Sequence, residues 1–194
     1  MIGRITLFAA GSLALIAGGC GTGSSAHSSS RQPYQPAQEV VQYDGVEGMY
    51  KSGNLFMSDQ PDQNTLRRFA HSGGAVVINL NQHELQNMGF SESQAVNALG
   101  MRYVYMPLIN PQITPAMVEK FGEVMASTNG RVLLHGFEQS DSAALWSAWL
   151  IQEKGFDPQL ALVLGGSAGL TSEPLVNSVR SFSPSTFASV QTDN

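Results

Sequence analysis

Residues 132–142 of this chain read Val-Leu-Leu-His-Gly-Phe-Glu-Gln-Ser-Asp-Ser, a pattern of strand, short loop and helix start. The apolar residues that open it have strand length and predict a buried strand over 131–134. A short loop follows, and from Asp141 to Lys154 apolar residues recur on every side of a predicted helix. That pattern is typical of a central, buried helix. Asp141 or Ser140 is the predicted N-cap, because either side chain can accept a hydrogen bond from the first turn.

Strands and helices alternate along the rest of the chain's folded part. Ser52-Gly53-Asn54 predicts a tight hairpin turn between two short strands. The apolar run 75–80, which is rich in β-branched residues, predicts a strand covered on both faces. The repeated strand–helix order favours an α/β fold with a mostly parallel central sheet flanked by helices. The other predicted elements are strands over 48–51, 55–58 and 102–106, and helices over 61–71, 91–99, 116–127 and after Asp157-Pro158.

Four short motifs follow one another in the order Ser58-Asp-Gln-Pro61, Val77-Ile-Asn-Leu80, Gly100-Met-Arg-Tyr-Val-Tyr-Met-Pro107 and Ser142-Ala-Ala-Leu-Trp146. Together they resemble the phosphatase-like domain of the β-lactamase-hydrolase-like group, within the protein tyrosine and dual-specificity phosphatase superfamily. The resemblance spans roughly residues 49–170. It implies a single cysteine-phosphatase-like α/β domain in which the stretch after the 131–134 strand is the phosphate loop.

The residues that the resemblance would make catalytic are replaced. In that superfamily the loop His is followed by a nucleophilic Cys and, five residues after the Cys, by Arg; here those positions hold Gly136 and Asp141. The chemistry needs a thiolate to attack phosphorus and a guanidinium fork to hold its oxygens. The loop 108–113, where the resemblance places an acidic general acid, contains Asn110 and no carboxylate. The sequence therefore predicts a pseudophosphatase without catalytic residues, whose degenerate phosphate loop consists of His135, Gly136, Phe137, Glu138, Gln139, Ser140, Asp141 and Ser142.

The predicted role of this loop is binding, and two other roles stay open. Its carboxylates predict weak or absent phosphate binding and favour a cationic or polar uncharged ligand. A hydrolase with a replaced, non-cysteine active site is the first alternative, using a loop serine or carboxylate with His135 as the base. The resemblance, however, implies that His135 is a structural residue at the strand end. A purely structural surface protein without a ligand cleft is the second alternative.

The N-terminus predicts export and a lipid anchor. Arg4 precedes the apolar run 5–16, which is shorter than the roughly 20 apolar residues that span a membrane. Ala17-Gly-Gly-Cys20 resembles a bacterial lipobox, which implies cleavage before Cys20, the only cysteine, and lipidation of its sulfur. Gly21 then favours the outer membrane of the cell envelope. An ordinary signal peptide, or a cytosolic chain with an apolar start, is the alternative.

Composition defines the remaining predictions. Residues 1–19 are the signal peptide, 20–38 a flexible tether rich in Ser, Gly, Pro and Gln, 39–178 the phosphatase-like domain and 179–194 a loose C-terminal tail. The net charge of −5 argues against nucleic-acid binding. The four histidines have no metal-ligand spacing, so neither a metal nor another cofactor is predicted. The predicted partners are a membrane, through the lipid on Cys20, and an unidentified envelope protein or ligand.

Overall fold

The computed structural model of the chain describes residues 38–40, 48–83 and 89–184. Its six strands are β1 Gln38–Val40, β2 Met49–Ser52, β3 Leu55–Ser58, β4 Gly74–Asn79, β5 Arg102–Tyr105 and β6 Arg131–His135. They form one sheet in the order β1-β2-β3-β6-β4-β5. The strands β1, β2 and β3 pair antiparallel, and the pairs β3–β6, β6–β4 and β4–β5 are parallel. The carboxyl ends of four strands therefore meet at one edge of the sheet.

The described residues also form six helices, which cover both faces of the sheet. They are α1 Gln63–His71, α2 Glu92–Ala98, α3 Pro115–Ala126, α4 Gln139–Gln152, α5 Pro158–Ser167 and α6 Glu173–Arg180. Helices α1 and α2 share the smaller hydrophobic core with one face of the sheet. Helices α3 to α6 share the larger core with the opposite face. This arrangement confirms the predicted α/β fold with a mostly parallel, helix-flanked sheet.

Alternation along each central strand explains why both faces are apolar. In β6, Leu133 points into the smaller core, while Val132 and Leu134 point into the larger one. All three side chains are fully buried. Burying one such side chain is worth about 1.5–3 kcal/mol, and a shift of one residue would exchange the two faces. The register that places His135 at the end of β6 is therefore firmly specified.

Helix α4 lies at the centre of the larger core. Every residue from Ser142 to Ile151 is buried, which confirms the prediction of a central helix that is apolar all round. The helix begins two residues earlier than predicted, at Gln139, and its N-cap is Glu138. The predicted cap was wrong because Asp141 stands inside the first turn, where its carboxylate accepts the backbone N–H of Glu138. Such a bond back to the N-cap backbone is one half of a capping box.

The folded part extends beyond residue 178, where the sequence analysis placed the start of a loose tail. Helix α6 runs to Arg180, and Val179 and Phe182 belong to the larger core. The Ser-rich composition after 178 obscured an apolar stripe at Leu175, Val179 and Phe182, which has the spacing of one helix face.

Other local predictions agree with the structure. The hairpin between β2 and β3 turns at Gly53, whose φ of +58° is in the region that favours glycine. Ser91 and Thr114 cap α2 and α3 through their side-chain oxygens. Within the described ranges, no helix is both long enough and apolar enough to cross a membrane. The signal peptide, Cys20 and nearly all of the tether lie outside the described residues.

Candidate functional site

The degenerate phosphate loop follows the strand end of β6 and leads into α4. Along that edge of the sheet, His135 is paired in register with Ser58 of β3 and with Asn79 of β4. The three side chains therefore lie side by side where the carboxyl ends of parallel strands meet. Ligand sites of open α/β sheets occur at this edge. The structure thus brings the predicted loop to the expected place in the fold.

The carboxylate of Asp141 fills the space beside Gly136. Its Oδ2 accepts the backbone N–H of Glu138 at 3.0 Å. A Cβ atom on Gly136 would lie 2.3 Å from the Asp141 Cβ and 2.5 Å from Oδ2, so residue 136 has no room for a side chain beside this carboxylate. Burial raises the pKa of Asp141, while backbone hydrogen bonds from Glu138 and Phe137 act in the opposite direction. The loop amides are thus bonded to an anion that the chain itself supplies.

The two loop serines are bonded to neighbouring backbone and point away from any common reaction centre. Ser140 Oγ donates to Gly169 O at 3.1 Å and accepts the backbone N–H groups of Thr171 and Ser172. Ser142 Oγ is fully buried and lies 3.2 Å from Ser58 O and 2.9 Å from Gln139 O. These bonds tie the first turn of α4 to the start of α6 and to the end of β3.

His135 is buried against a carboxylate that the sequence analysis did not identify. Its Nε2 lies 2.6 Å from Oε1 of Glu92, and the two side chains are 0% and 6% exposed. Neither loop serine has a hydrogen bond to this imidazole among the described residues. The prediction of a structural role for His135 agrees with this geometry, in which the partner of the imidazole is an acidic side chain.

A chain of side-chain amides connects Glu92 to the outer part of the site. Its Oε2 accepts the Nδ2 of Asn79 at 2.9 Å and the Nε2 of Gln60 at 3.2 Å. Gln60 Oε1 in turn accepts the Nδ2 of Asn81. Asn79 Oδ1 accepts the backbone N–H of Asn81 at 2.7 Å. The buried carboxylate of Glu92 therefore orients the side-chain amides under the loop, either directly or through one another.

A cleft of about 290 Å³ opens above these groups. Its lining comes from residues 80–82 after β4, from 108 and 110–111 after β5, and from the loop residues Phe137, Glu138 and Asp141. Phe137 lines this cleft and is 66% exposed. No Lys or Arg is among the lining residues of this cleft. Its charged groups are carboxylates only.

The loop after β5 places Asn110 in the cleft wall, at the general-acid position that the resemblance implies. Asn110 has a φ of +57°, the only positive value among the described non-glycine residues. Asparagine tolerates this left-handed conformation better than most side chains. A side-chain amide has no acidic proton to transfer at this position.

The remaining loop residue, Gln139, has a structural contact. Its Nε2 donates to Ala168 O at 3.0 Å, across to the end of α5. Among the described residues, no group of three or more His, Cys, Asp or Glu side chains is arranged to hold a metal ion. Cys20 and His27 lie outside the described residues.

Sequence reasoning missed Glu92, Gln60 and Asn81 as members of the site. Gln60 and Asn79 belong to two of the motifs that carry the resemblance, and their place in those motifs could have identified them as candidate site residues. Glu92 is the first residue of α2 within a capping pattern, and such acidic residues are usually solvated. Its burial follows from the packing of α2 against β5 and α1, which the local sequence pattern does not predict.

Comparisons with known proteins agree on the fold. No family model matches the chain. Over 84 residues it is 32% identical to β-lactamase hydrolase-like proteins of two Xylella fastidiosa strains, Temecula1 and 9a5c. The match covers 42% of this chain and 20% of those proteins, so the chain spans about a fifth of their length.

Solved structures similar to the chain include TpbA, PTPMT1 and a DUF442 protein that is described as a putative phosphatase. P. aeruginosa TpbA has a TM-score of 0.60 at 17% identity, covering 75% of this chain and 89% of TpbA. A DUF442 protein from Shewanella putrefaciens CN-32 has a TM-score of 0.57 at 20% identity, covering 70% and 90%. PTPMT1 has a TM-score of 0.55 at 18% identity, covering 64% and 86%. At these identities the likeness shows a phosphatase-like α/β fold.

Proposed function

We propose that this protein is an exported, lipid-anchored lipoprotein whose phosphatase-like domain is catalytically inactive and serves as a binding module in the cell envelope. The observation that carries the proposal is the place of the Asp141 carboxylate, which fills the space beside Gly136 and accepts a loop amide. A phosphate loop filled by its own carboxylate is not available to a phosphate.

Charge and the lack of a nucleophile support inactivity. Gly136 offers no thiolate, and Asp141 replaces the guanidinium that would clamp a phosphate. Two unit charges of like sign 4 Å apart repel by about 4 kcal/mol at an effective dielectric constant of 20. A phosphate dianion in the loop would be repelled by the Asp141 carboxylate, and Glu138 lines the same cleft. Weak or absent phosphate binding follows.

The arrangement of the loop serines argues against the alternative of a non-cysteine hydrolase. A serine nucleophile needs an adjacent base within hydrogen-bond reach. Ser140 Oγ is directed at the segment 169–172, and Ser142 Oγ at Ser58 O and Gln139 O. His135 is fully buried against Glu92. The open cleft, with Phe137 at its side, favours a binding role over a purely structural one.

The envelope location and the partner rest on the sequence. The lipobox-like Ala17-Gly-Gly-Cys20 and the Ser- and Gly-rich tether would hold the domain on a membrane, with the outer membrane favoured by Gly21. The partner we propose is an envelope protein or ligand that enters the cleft. No nucleic-acid role is proposed.

A phosphatase assay with a binding measurement tests the proposal. The purified chain is incubated with p-nitrophenyl phosphate and with a phosphotyrosine peptide, and vanadate binding is measured by calorimetry. We expect no turnover above buffer and no vanadate binding. The variant Asp141→Gly, which removes the internal carboxylate, is expected to gain vanadate binding without turnover. Turnover by the parent chain would contradict the proposal, and its loss in Ser140→Ala would identify the serine hydrolase instead.

A further inference from the structure

The cleft presents hydrogen-bond acceptors from separate elements and no cation among its lining residues. Glu138 and Asp141 contribute carboxylates from the start of α4. Asn81, from the segment after β4, is 5% exposed and lines the same cleft. Its Oδ1 is buried and accepts no hydrogen bond in the described structure. A buried acceptor without a donor costs about 1–3 kcal/mol, so this oxygen has capacity for a donor from outside the described residues.

The orientation of the Asn81 amide follows from the buried carboxylate of Glu92. A carboxylate can only accept hydrogen bonds, so Gln60 must direct its NH₂ group towards Glu92. The carbonyl oxygen of Gln60 is then directed at Asn81, which must donate its own NH₂ group. The remaining group of Asn81, the Oδ1 acceptor, has no donor among the described residues, and Asn81 itself lines the cleft. The hydrogen-bonded series Glu92–Gln60–Asn81 therefore adds a hydrogen-bond acceptor to a cleft that is already lined by carboxylates.

An aromatic ring stands beside these acceptors. The side chain of Phe137 is 66% exposed and lines the cleft together with Leu80 and Leu108. An exposed ring next to carboxylates is a favourable site for a planar cation, which can stack on the ring while it donates hydrogen bonds. A guanidinium carries five N–H donors in one plane and can bond several acceptors at once. An ammonium group presents a compact charge and does not stack in this way.

We propose that the cleft binds a guanidinium group of the arginine side-chain class, with Asn81, Glu138 and Asp141 as acceptors and Phe137 as the stacking surface. This inference rests on the proposed function, since it names the ligand chemistry of the same binding module. The inference follows from the hydrogen-bond acceptors that line the cleft, and not from the absence of phosphatase chemistry.

The test uses the full chain and two probes of equal shape. Nα-acetyl-arginine methylamide carries the cation, and Nα-acetyl-citrulline methylamide replaces the guanidinium by a neutral urea. Affinity is measured by calorimetry, and amide NMR shifts show whether residues 81 and 137–141 respond. We expect the arginine probe to bind at these residues about tenfold more tightly than the citrulline probe, the effect of one charge-assisted hydrogen bond. Equal affinity of the two probes would overturn the role of charge.

Variants then locate the site. Asn81→Ala is expected to weaken arginine binding about fivefold through loss of a buried acceptor, and Glu138→Gln about threefold because this carboxylate is exposed. Glu119→Gln, which changes net charge equally at an exposed position on α3, is the matched control and should have no effect. Unchanged binding in Glu138→Gln, which leaves the buried groups intact, would overturn the site even if Asn81→Ala fails to fold.

Inorganic phosphate, titrated into the same sample, separates this inference from the proposed function. If neither arginine nor phosphate binds, the guanidinium site is wrong while the inactive phosphatase-like domain stands on its own assay. If phosphate binds at residues 136–141, both are wrong, because the internal carboxylate then fails to exclude the anion.

Discussion

A side chain at position 136 would collide with Asp141. Because a Cβ there lies 2.3 Å from the Asp141 Cβ, the loop backbone or the first turn of α4 would have to move. We expect Gly136→Ala to lower the free energy of unfolding by about 1–3 kcal/mol, the usual effect of overpacking a tight site. Urea denaturation of the purified chain measures this loss.

The matched control for Gly136→Ala is the same change made in an Asp141→Gly background. Removing the Asp141 side chain removes all three of the nearest contacts of the added methyl group. The penalty of Gly136→Ala should therefore shrink by at least about 1 kcal/mol in that background, as a coupling between contacting residues. An equal loss in both backgrounds would show that the carboxylate does not fill this space.

The stability of helix α1 is expected to depend on pH through its N-cap. Asp62 is its N-cap, and hydrogen bonds from Thr65 lower the pKa of this carboxyl below 3.8. A lowered folded pKa gives stability that is fully present above the unfolded pKa and is lost as pH falls through the folded value. Asp62→Ala should cost about 1 kcal/mol near neutral pH.

Unfolding measured from about pH 7 down to about pH 2 separates the charge of Asp62 from its capping bond. The difference between the parent chain and Asp62→Ala should narrow at the acid end. Asp62→Asn keeps a capping oxygen without the titration, so its stability relative to Asp62→Ala should not change with pH. A parent–Ala difference that stays constant through the acid range would show that the carboxylate charge does not contribute to the cap.

The packing of α4 on α5 depends on one small residue. A Cβ on Gly165 would lie 2.2 Å from Ser147 Oγ, whereas a Cβ on the adjacent Gly166 would meet nothing within 4 Å. We expect Gly165→Ala to destabilise the chain by about 1–3 kcal/mol, and Gly166→Ala to stabilise it by up to about 1 kcal/mol through helix propensity. Thermal and urea unfolding of the Gly165→Ala and Gly166→Ala variants measures both changes in stability.

The Ser147→Ala background tests the cause of that clash. It removes the hydroxyl that the new methyl group would meet and should recover part of the Gly165→Ala loss. If Gly165→Ala and Gly166→Ala change the stability equally, the close approach of α4 and α5 does not restrict the size of residue 165.

Apolar periodicity and turn chemistry predicted the elements well, and the site only in part. The run 75–80 and the caps at Ser91 and Thr114 are decided by local preferences, and the structure confirms them. The cap of α4 could not be predicted because Glu138, Ser140 and Asp141 are all able to cap, and tertiary contacts decide among them. Ser140 is bonded to the start of α6, an element that the sequence analysis did not identify.

The buried network under the loop joins the whole domain, since it links α2, β4, β6 and the segment before α1. Glu92 accepts from two amides and lies 2.6 Å from His135, so its loss would remove an acceptor from Asn79 and Gln60 and leave the buried His135 without its carboxylate partner. A buried polar group that loses its partner costs about 1–3 kcal/mol. We expect Glu92→Ala to show a loss of that size in equilibrium unfolding.

Glu119→Ala is the control for Glu92→Ala, because an exposed glutamate on a helix should change stability by no more than about 0.5 kcal/mol. Comparable small losses in the two variants would mean that the Glu92 network does not hold the strand ends together.

The predicted lipid anchor is tested by changing Cys20. If Cys20 is lipidated, several acyl chains hold the protein firmly on a membrane, since one chain alone gives marginal binding. Metabolic labelling with radioactive palmitate should mark the parent chain, and fractionation should recover it with membranes. Cys20→Ser should lose the label.

The double variant Cys20→Ser, Ser24→Cys keeps one cysteine outside the lipobox-like motif and should also be unlabelled. A label in that control would show modification of any nearby thiol, and membrane recovery of an unlabelled, cleaved Cys20→Ser chain would show that the domain reaches the membrane through a protein partner instead of a lipid.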